Sequence, residues 1–94
     1  MSKTMEDTRK YLMERIQAHN DSGVPPLVLA EMGMQDIKWG HDRDLDAGLW
    51  YLILGEEFGE VGKAVLENDE NLREELIQVA AVAIQWIEML DRQA

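Results

Sequence analysis

Apolar and polar residues follow helical periods along the chain and predict four helices, at about residues 4–19, 25–37, 44–67 and 71–92. No stretch alternates apolar and polar residues for long enough to predict a strand, and no Asn-Gly or Asp-Gly hairpin signal occurs. The sequence therefore predicts an all-α protein. Ninety-four residues suit a single domain, 1–94.

Turn and cap signals separate the predicted helices. The proline pair at 25–26 suits the first turn of a helix, where a missing N–H group is not needed. We expect Asp44 or Asp46 to cap the third helix and Asn68 or Asp69 to cap the fourth. The segment 38–43 between the second and third helices is predicted to be a loop.

The fourth helix is apolar around most of its circumference. At about 100° per residue, its main apolar face comprises Leu72, Leu76, Val79, Ala80, Ala83, Trp86, Ile87 and Leu90. A second face comprises Ile77, Ala81 and Ile84. Such a helix is buried on more than one side, and three other helices of a short chain do not cover it. We therefore expect a dimer or tetramer of this chain, assembled through the third and fourth helices.

Charge and composition restrict the class of partner. Nine basic and 19 acidic residues give a formal net charge of −10, which repels a nucleic-acid polymer. The chain has no cysteine, and no apolar run approaches the ~20 residues that span a bilayer. The first residues lack the apolar segment of a secretory signal. We expect a cytoplasmic protein that binds neither nucleic-acid polymers nor membranes.

Acidic residues are concentrated on the third helix, where Glu56, Glu57 and Glu60 lie within one turn of each other. The predicted apolar face of this helix is Trp50, Leu54, Phe58, Val61 and Val65, with Glu57 at its border. In an antiparallel pair of helices, Glu75 and Gln78 of the fourth helix would meet this cluster. Mutually repelling carboxylates are stabilised by Mg²⁺ or Mn²⁺. The alternative is a solvated acidic face on a purely structural oligomer.

Two segments carry a family resemblance. The run Glu-Glu-Phe-Gly-Glu at 56–60 and the run Glu-Leu-Ile-Gln at 75–78 resemble the signature of the MazG-like all-α nucleotide pyrophosphohydrolases, Glu-Glu-x-x-Glu followed by Glu-x-x-Asp. The similarity spans roughly 38–92. It implies a four-helix bundle-like MazG-type fold completed by homo-oligomerisation, with metal-site helices at about 44–67 and 71–92. It also implies Mg²⁺-dependent cleavage of a nucleoside triphosphate to a monophosphate and pyrophosphate, for nucleotide-pool housekeeping.

The resemblance implies roles for individual residues. Glu57, Glu60, Glu75 and Gln78 would be the metal ligands. Glu56 and Glu57 would be the catalytic carboxylates. Glu56 would bind a second metal or activate the attacking water. Gln78 departs from the family pattern, which has Asp there. This loss of a negative charge keeps a second interpretation open, a catalytically degenerate relative that binds a nucleotide or a protein.

Four further residues are candidates for substrate binding. Trp39 is expected to stack on a base, and Lys38 or His41 to contact phosphate; the alternative places Trp39 against the core and the other two in solvent. Lys63, one turn after Glu60, either contacts phosphate or pairs with a glutamate. The base, the sugar and the choice between triphosphate and diphosphate stay open.

Overall fold

The computed structural model describes residues 4–94 and contains four α-helices. They are α1 (Met5–Asp21), α2 (Val24–Trp39), α3 (Ala47–Leu66) and α4 (Leu72–Gln93). No strand occurs in this described range. The prediction of an all-α chain with four helices is confirmed.

Capping side chains explain where two helices begin. Thr4 accepts a hydrogen bond from the Asp7 N–H at 3.1 Å and starts α1. Asp46 accepts from the Leu49 N–H at 2.8 Å and starts α3, which decides between the two predicted caps. Asn68 and Asp69 were the wrong caps for α4, because that helix begins after Asn71. Asp69 instead accepts from the Asn71 N–H at 2.9 Å and shapes the preceding turn.

The second helix is longer than predicted and includes Lys38 and Trp39 in its last turn. It ends at Gly40, whose φ of +91° lies in a region that side chains disfavour. The Gly40 N–H donates to the Asp36 carbonyl oxygen at 2.8 Å and closes the last turn. Lys38 and Trp39 are therefore held on a helix and not on the predicted loop.

The helices α3 and α4 form an antiparallel pair, with α2 packed on α4. Within the described residues, α1 contacts α2 alone. The core has two parts: one joins Trp50 of α3 to Val82 and Met89 of α4, and the other joins Val28 and Met32 of α2 to Ala81 of α4. The Trp50 ring stacks on Trp86 of α4, with centroids 6.4 Å apart. Helix α4 is therefore the central element.

The predicted main apolar face of α4 packs inside the chain only in part, through Ala80 and Trp86. Leu76, Ile87 and Leu90 of that face are exposed, whereas Ala81, Val82, Gln85 and Met89 are buried. On α3, Trp50 of the predicted apolar face is buried, whereas Phe58 and Val65 of that face are exposed; Glu57 lies in the seam with α4. The prediction was wrong for these exposed residues. It also left out Gln85, which is buried because it finds polar partners on α2 and on the connection to α3.

Much apolar surface stays exposed in this arrangement. None of the residues of α1 is buried, and its Leu12 and Ile16 are each 53% exposed. The radius of gyration is 16.6 Å, against about 13 Å for a compact domain of 100 residues. The helices thus spread apart and leave apolar sides of α1, α3 and α4 uncovered.

Across residues 4–94, no helix is long and apolar enough to cross a membrane.

Candidate functional site

The α3–α4 seam brings Glu57, Glu75 and Gln78 together. Gln78 Nε2 lies 2.8 Å from Glu57 Oε2 and 3.3 Å from Glu75 Oε2. This orientation of the amide is the one that hydrogen bonding requires, since the reverse would place the amide oxygen against two carboxylate oxygens. One side chain amide thus bridges the carboxylates of two neighbouring helices, at the positions that the sequence predicted to meet.

The environment raises the pKa of Glu57 above its ordinary value of 4.5. Burial is the largest cause, because it disfavours the charged form, and the negative charge of Glu75 is the next. Glu31, Glu60 and Glu56 act in the same direction. The repulsion expected for this cluster is therefore centred on Glu57, and α2 contributes to it through Glu31.

A groove with a cavity volume of ≈ 760 Å³ runs alongside the seam. Its polar walls consist of Glu31, Gln35, Lys38, Trp39, Arg43, Glu56, Glu57 and Gln78. Its apolar walls consist of Met34, Ile37, Leu45, Ile53 and Val82. Such a mixture of an apolar surface and a few charged groups is typical of sites for small organic ligands. We refer to this feature as the groove.

The groove contains five of the predicted site residues: Lys38, Trp39, Glu56, Glu57 and Gln78. Lys38 and Trp39 contact each other in the groove wall, and the lysine Nζ lies 4.9 Å from the centroid of the indole ring. Trp39 is 63% exposed, so the alternative in which it covers the core is wrong. Its ring is available to a ligand.

Four other predicted residues lie outside the groove wall. Glu60 and Glu75 do not line it, although both carboxylates act on the pKa of Glu57. His41 is exposed and its Nδ1 lies 3.3 Å from Asp42 Oδ2. Lys63 is exposed beyond Glu60 and forms no ion pair within residues 4–94. Substrate binding by His41 or Lys63 stays a prediction.

Two residues were not predicted from the sequence: Arg43, which lines the groove, and Gln85, which contacts Arg43. Gln85 is buried on α4, with its Oε1 3.3 Å from Arg43 Nη2. Its Nε2 donates to the Met32 carbonyl oxygen and to Asp36 Oδ1, each at 3.4 Å. A lone glutamine in the apolar run of α4 was the available signal, because a buried amide needs hydrogen-bond partners.

The segment that carries Arg43 is tied to the end of α4 by Arg92. Its Nη2 donates to the Arg43 carbonyl oxygen at 3.2 Å and lies 3.6 Å from Asp44 Oδ1. Its Nη1 lies 3.5 Å from Asp42 Oδ1. These contacts fix the connection between α2 and α3 against α4, so Arg43 projects from an anchored segment.

The residues of the seam have the donor chemistry that a magnesium ion requires. Carboxylate and amide oxygens are its preferred protein ligands, and the pKa of Glu57 is raised by burial and by the negative charges of Glu75 and other nearby glutamates. In the arrangement described for residues 4–94, three or more acidic or histidine side chains do not converge on one point. Glu57, Glu75 and the amide oxygen of Gln78 are the groups of the seam that would hold such an ion.

Comparison with protein-family models, with curated proteins and with solved structures finds no match to this chain.

Proposed function

We propose that this protein is a Mg²⁺-dependent nucleoside triphosphate pyrophosphohydrolase of the MazG-like type. It would cleave the substrate to a nucleoside monophosphate and pyrophosphate. The observation that supports this most is the position of Glu57. It lies half-buried in the seam between α3 and α4, surrounded by acidic residues of three helices, and it borders an open groove.

The groove suits a nucleotide in size and in lining. Its volume of ≈ 760 Å³ falls within the usual range for small-molecule sites. Trp39 offers an exposed ring on which a base would stack, and Lys38 beside it offers a positive charge. Glu56 and Glu57 lie on the α3 wall of the same groove. The aromatic group and the carboxylates thus bind different parts of one ligand.

Residues of the seam would hold the metal. Glu57 and Glu75 would be its first ligands, with Glu60 and the Gln78 oxygen as further candidates. Bound Mg²⁺ screens the phosphate charge and lowers the pKa of a coordinated water. Glu56, which lines the groove next to Glu57, would orient the attacking water and accept its proton.

Mn²⁺ satisfies the same set of oxygen ligands and would replace Mg²⁺.

The experiment that tests this function measures pyrophosphate release from ribo- and deoxynucleoside triphosphates with each ion. Glu57→Gln and Glu75→Gln should abolish release. Glu74→Gln, the same change at an exposed position of α4, is the matched control. Absence of release from every nucleotide by folded wild-type protein would overturn the proposal.

A second function, a non-catalytic nucleotide- or protein-binding relative, is favoured by one observation. The Gln78 amide donates to both Glu57 and Glu75 and so satisfies the two carboxylates without a cation. A metal-free binding module would have this arrangement. It predicts nucleotide binding in the groove without turnover and without dependence on Mg²⁺.

The MazG-type bundle would be completed by a second copy of the chain. Support comes from the predicted apolar face of α4, where Leu76, Ile87 and Leu90 are each at least half exposed. Contiguous apolar surface of this kind marks an interaction site. The α4 faces of two or four copies, with the apolar sides of α1 and α3, would bury it.

A further inference from the structure

Arg43 stands where the groove meets a second, smaller cavity. It lines the groove together with Glu56 and Glu57. It also lines a polar cavity of ≈ 50 Å³ against α4, on the side where Gln85 lies. Its side chain is half-buried, although it carries a charge. A charged group held at such a place needs partners, and their nature determines what the charge can bind.

The guanidinium of Arg43 contacts neutral groups, although Asp36, Asp42 and Glu88 line the same small cavity. Its Nη2 donates to Gln85 Oε1 at 3.3 Å, and its Cζ lies 5.6 Å from the centroid of the Trp50 ring. In residues 4–94, the nearby aspartates at 42 and 44 pair with Arg92, and Arg43 takes part in none of the ion pairs. Its positive charge is therefore positioned without an ion pair to any of these residues.

Gln85 is itself fixed on three sides. It is 7% exposed, and its Nε2 donates to the Met32 carbonyl oxygen and Asp36 Oδ1. Rotating the amide would place its nitrogen against Arg43 and its oxygen against two acceptors. The oxygen is thus held toward the guanidinium. A glutamate here would also hold Arg43, but it would cancel the charge.

We propose that Arg43 binds the polyphosphate part of the ligand in the groove and that Gln85 is its positioning residue. This rests on the proposed function and deepens it. The planar guanidinium donates two parallel hydrogen bonds to phosphoryl oxygens. In a chain of formal charge −10, phosphate cannot approach Glu56 and Glu57 unless cations face it. Arg43 and Lys38 are the basic residues of the groove wall.

The test is a calorimetric titration of inorganic pyrophosphate, with and without Mg²⁺, into the full chain. Arg43→Gln should weaken binding on the order of ten- to a hundred-fold, as expected for lost charge-assisted hydrogen bonds. Arg43→Lys should retain part of the affinity, because it keeps the charge and loses the fork. Arg15→Gln, the same change at an exposed position of α1, should bind as the wild type does. Circular dichroism confirms that each variant is folded.

Gln85→Leu tests the positioning role. It should weaken pyrophosphate binding although residue 85 does not line the groove, and it should add nothing in an Arg43→Gln background. A purely structural role would weaken binding equally in both backgrounds. That result would overturn the part assigned to Gln85.

The outcomes separate this inference from the proposed function. If pyrophosphate binding depends on Arg43 and no nucleotide is turned over, the inference holds and the proposed enzymatic function is overturned. Turnover with the same pyrophosphate affinity and the same KM in wild type and Arg43→Gln keeps the enzyme and overturns the inference. Failure of the wild type to bind pyrophosphate under either condition also overturns the inference.

Discussion

Gln78 and Glu57 face each other across the α3–α4 seam, with the amide nitrogen of Gln78 2.8 Å from Glu57 Oε2. The same nitrogen lies 3.3 Å from Glu75 Oε2. The amide nitrogen thus donates hydrogen bonds to two carboxylates that repel each other, and it stabilises them in part as a cation would. Three predictions follow from this contact and its surroundings.

Glu57→Gln should stabilise the metal-free protein at pH 7. The folded state raises the pKa of Glu57, so folded protein binds more protons than unfolded protein above pH 4.5, and stability falls as pH rises through this range. The variant lacks that loss. Its thermal midpoint should exceed that of the wild type by a few degrees at pH 7 and match it at pH 4. Glu74→Gln should show no such pH-dependent gain; an equal gain there would contradict the assignment to Glu57.

Mg²⁺ or Mn²⁺ should raise the thermal midpoint of the wild type by binding the folded state alone. At a metal concentration of 100 times Kd, this binding raises the free energy of unfolding by about 2.7 kcal/mol. Glu57→Gln and Glu75→Gln should lose most of the shift, measured by scanning calorimetry at constant ionic strength. The blank is a buffer without divalent ions, brought to the same ionic strength with Na⁺. An unchanged midpoint in the wild type would favour the solvated acidic face.

Gln78→Asp should have opposite effects with and without metal. Without metal, it removes the donors that contact Glu57 and Glu75 and adds a third negative charge, so the midpoint should fall. With Mg²⁺, it supplies the carboxylate that the MazG-like signature has at this position, so metal affinity and pyrophosphate release should rise. Gln93→Glu gives the control for an added charge on exposed α4. Tighter metal binding with no release would identify the protein as a binding relative.

Leu76→Glu and Leu90→Glu should reduce the mass of the assembly to that of one chain. Both leucines belong to the predicted apolar face of α4, and both are exposed within a single chain. Light scattering coupled to size exclusion measures the mass. Leu29→Glu, at a 61% exposed site of α2, should leave it unchanged. A wild-type mass of 10.8 kDa at every concentration would contradict the oligomer.

Trp50→Ala should lower the free energy of unfolding by about 3–5 kcal/mol, because it empties the centre of the α3–α4 core. Trp50 is 1% exposed and packs on Trp86, Val82 and Met89. Trp39→Ala removes the same side chain from an exposed position and should change stability by less than about 0.5 kcal/mol. Urea unfolding followed by circular dichroism compares the two. Equal losses would contradict the packing described for α3.

The sequence predicted the number and rough bounds of the helices because periodicity and caps are local signals. Asp46 is an example, since its cap needs only the three residues that follow it. The buried faces were not predictable in the same way. Phe58 is more apolar than Ala64, yet Ala64 is the buried one, so the hydrophobicity of a residue does not by itself indicate which side of α3 is covered.

The site was predicted in part for a related reason. Glu57, Glu75 and Gln78 were expected to meet because a short connection favours an antiparallel pair of helices. Glu31 and Arg43 were missed, since their place depends on how α2 packs on α4. No spacing within the sequence carries that information. The contact of Arg43 with Gln85 spans 42 residues of chain.

The long span of the Gln85 contacts has a consequence for the order of folding. Helix formation and the contact of α1 with α2 are local and fast, whereas Gln85 reaches Met32 and Arg43 across 53 and 42 residues. Those bonds form only when α4 docks on the preceding helices, the same event that buries Val82 and Ala81. A chain with all four helices formed but α4 undocked has no groove. The groove and the hydrophobic core therefore depend on the same docking of α4.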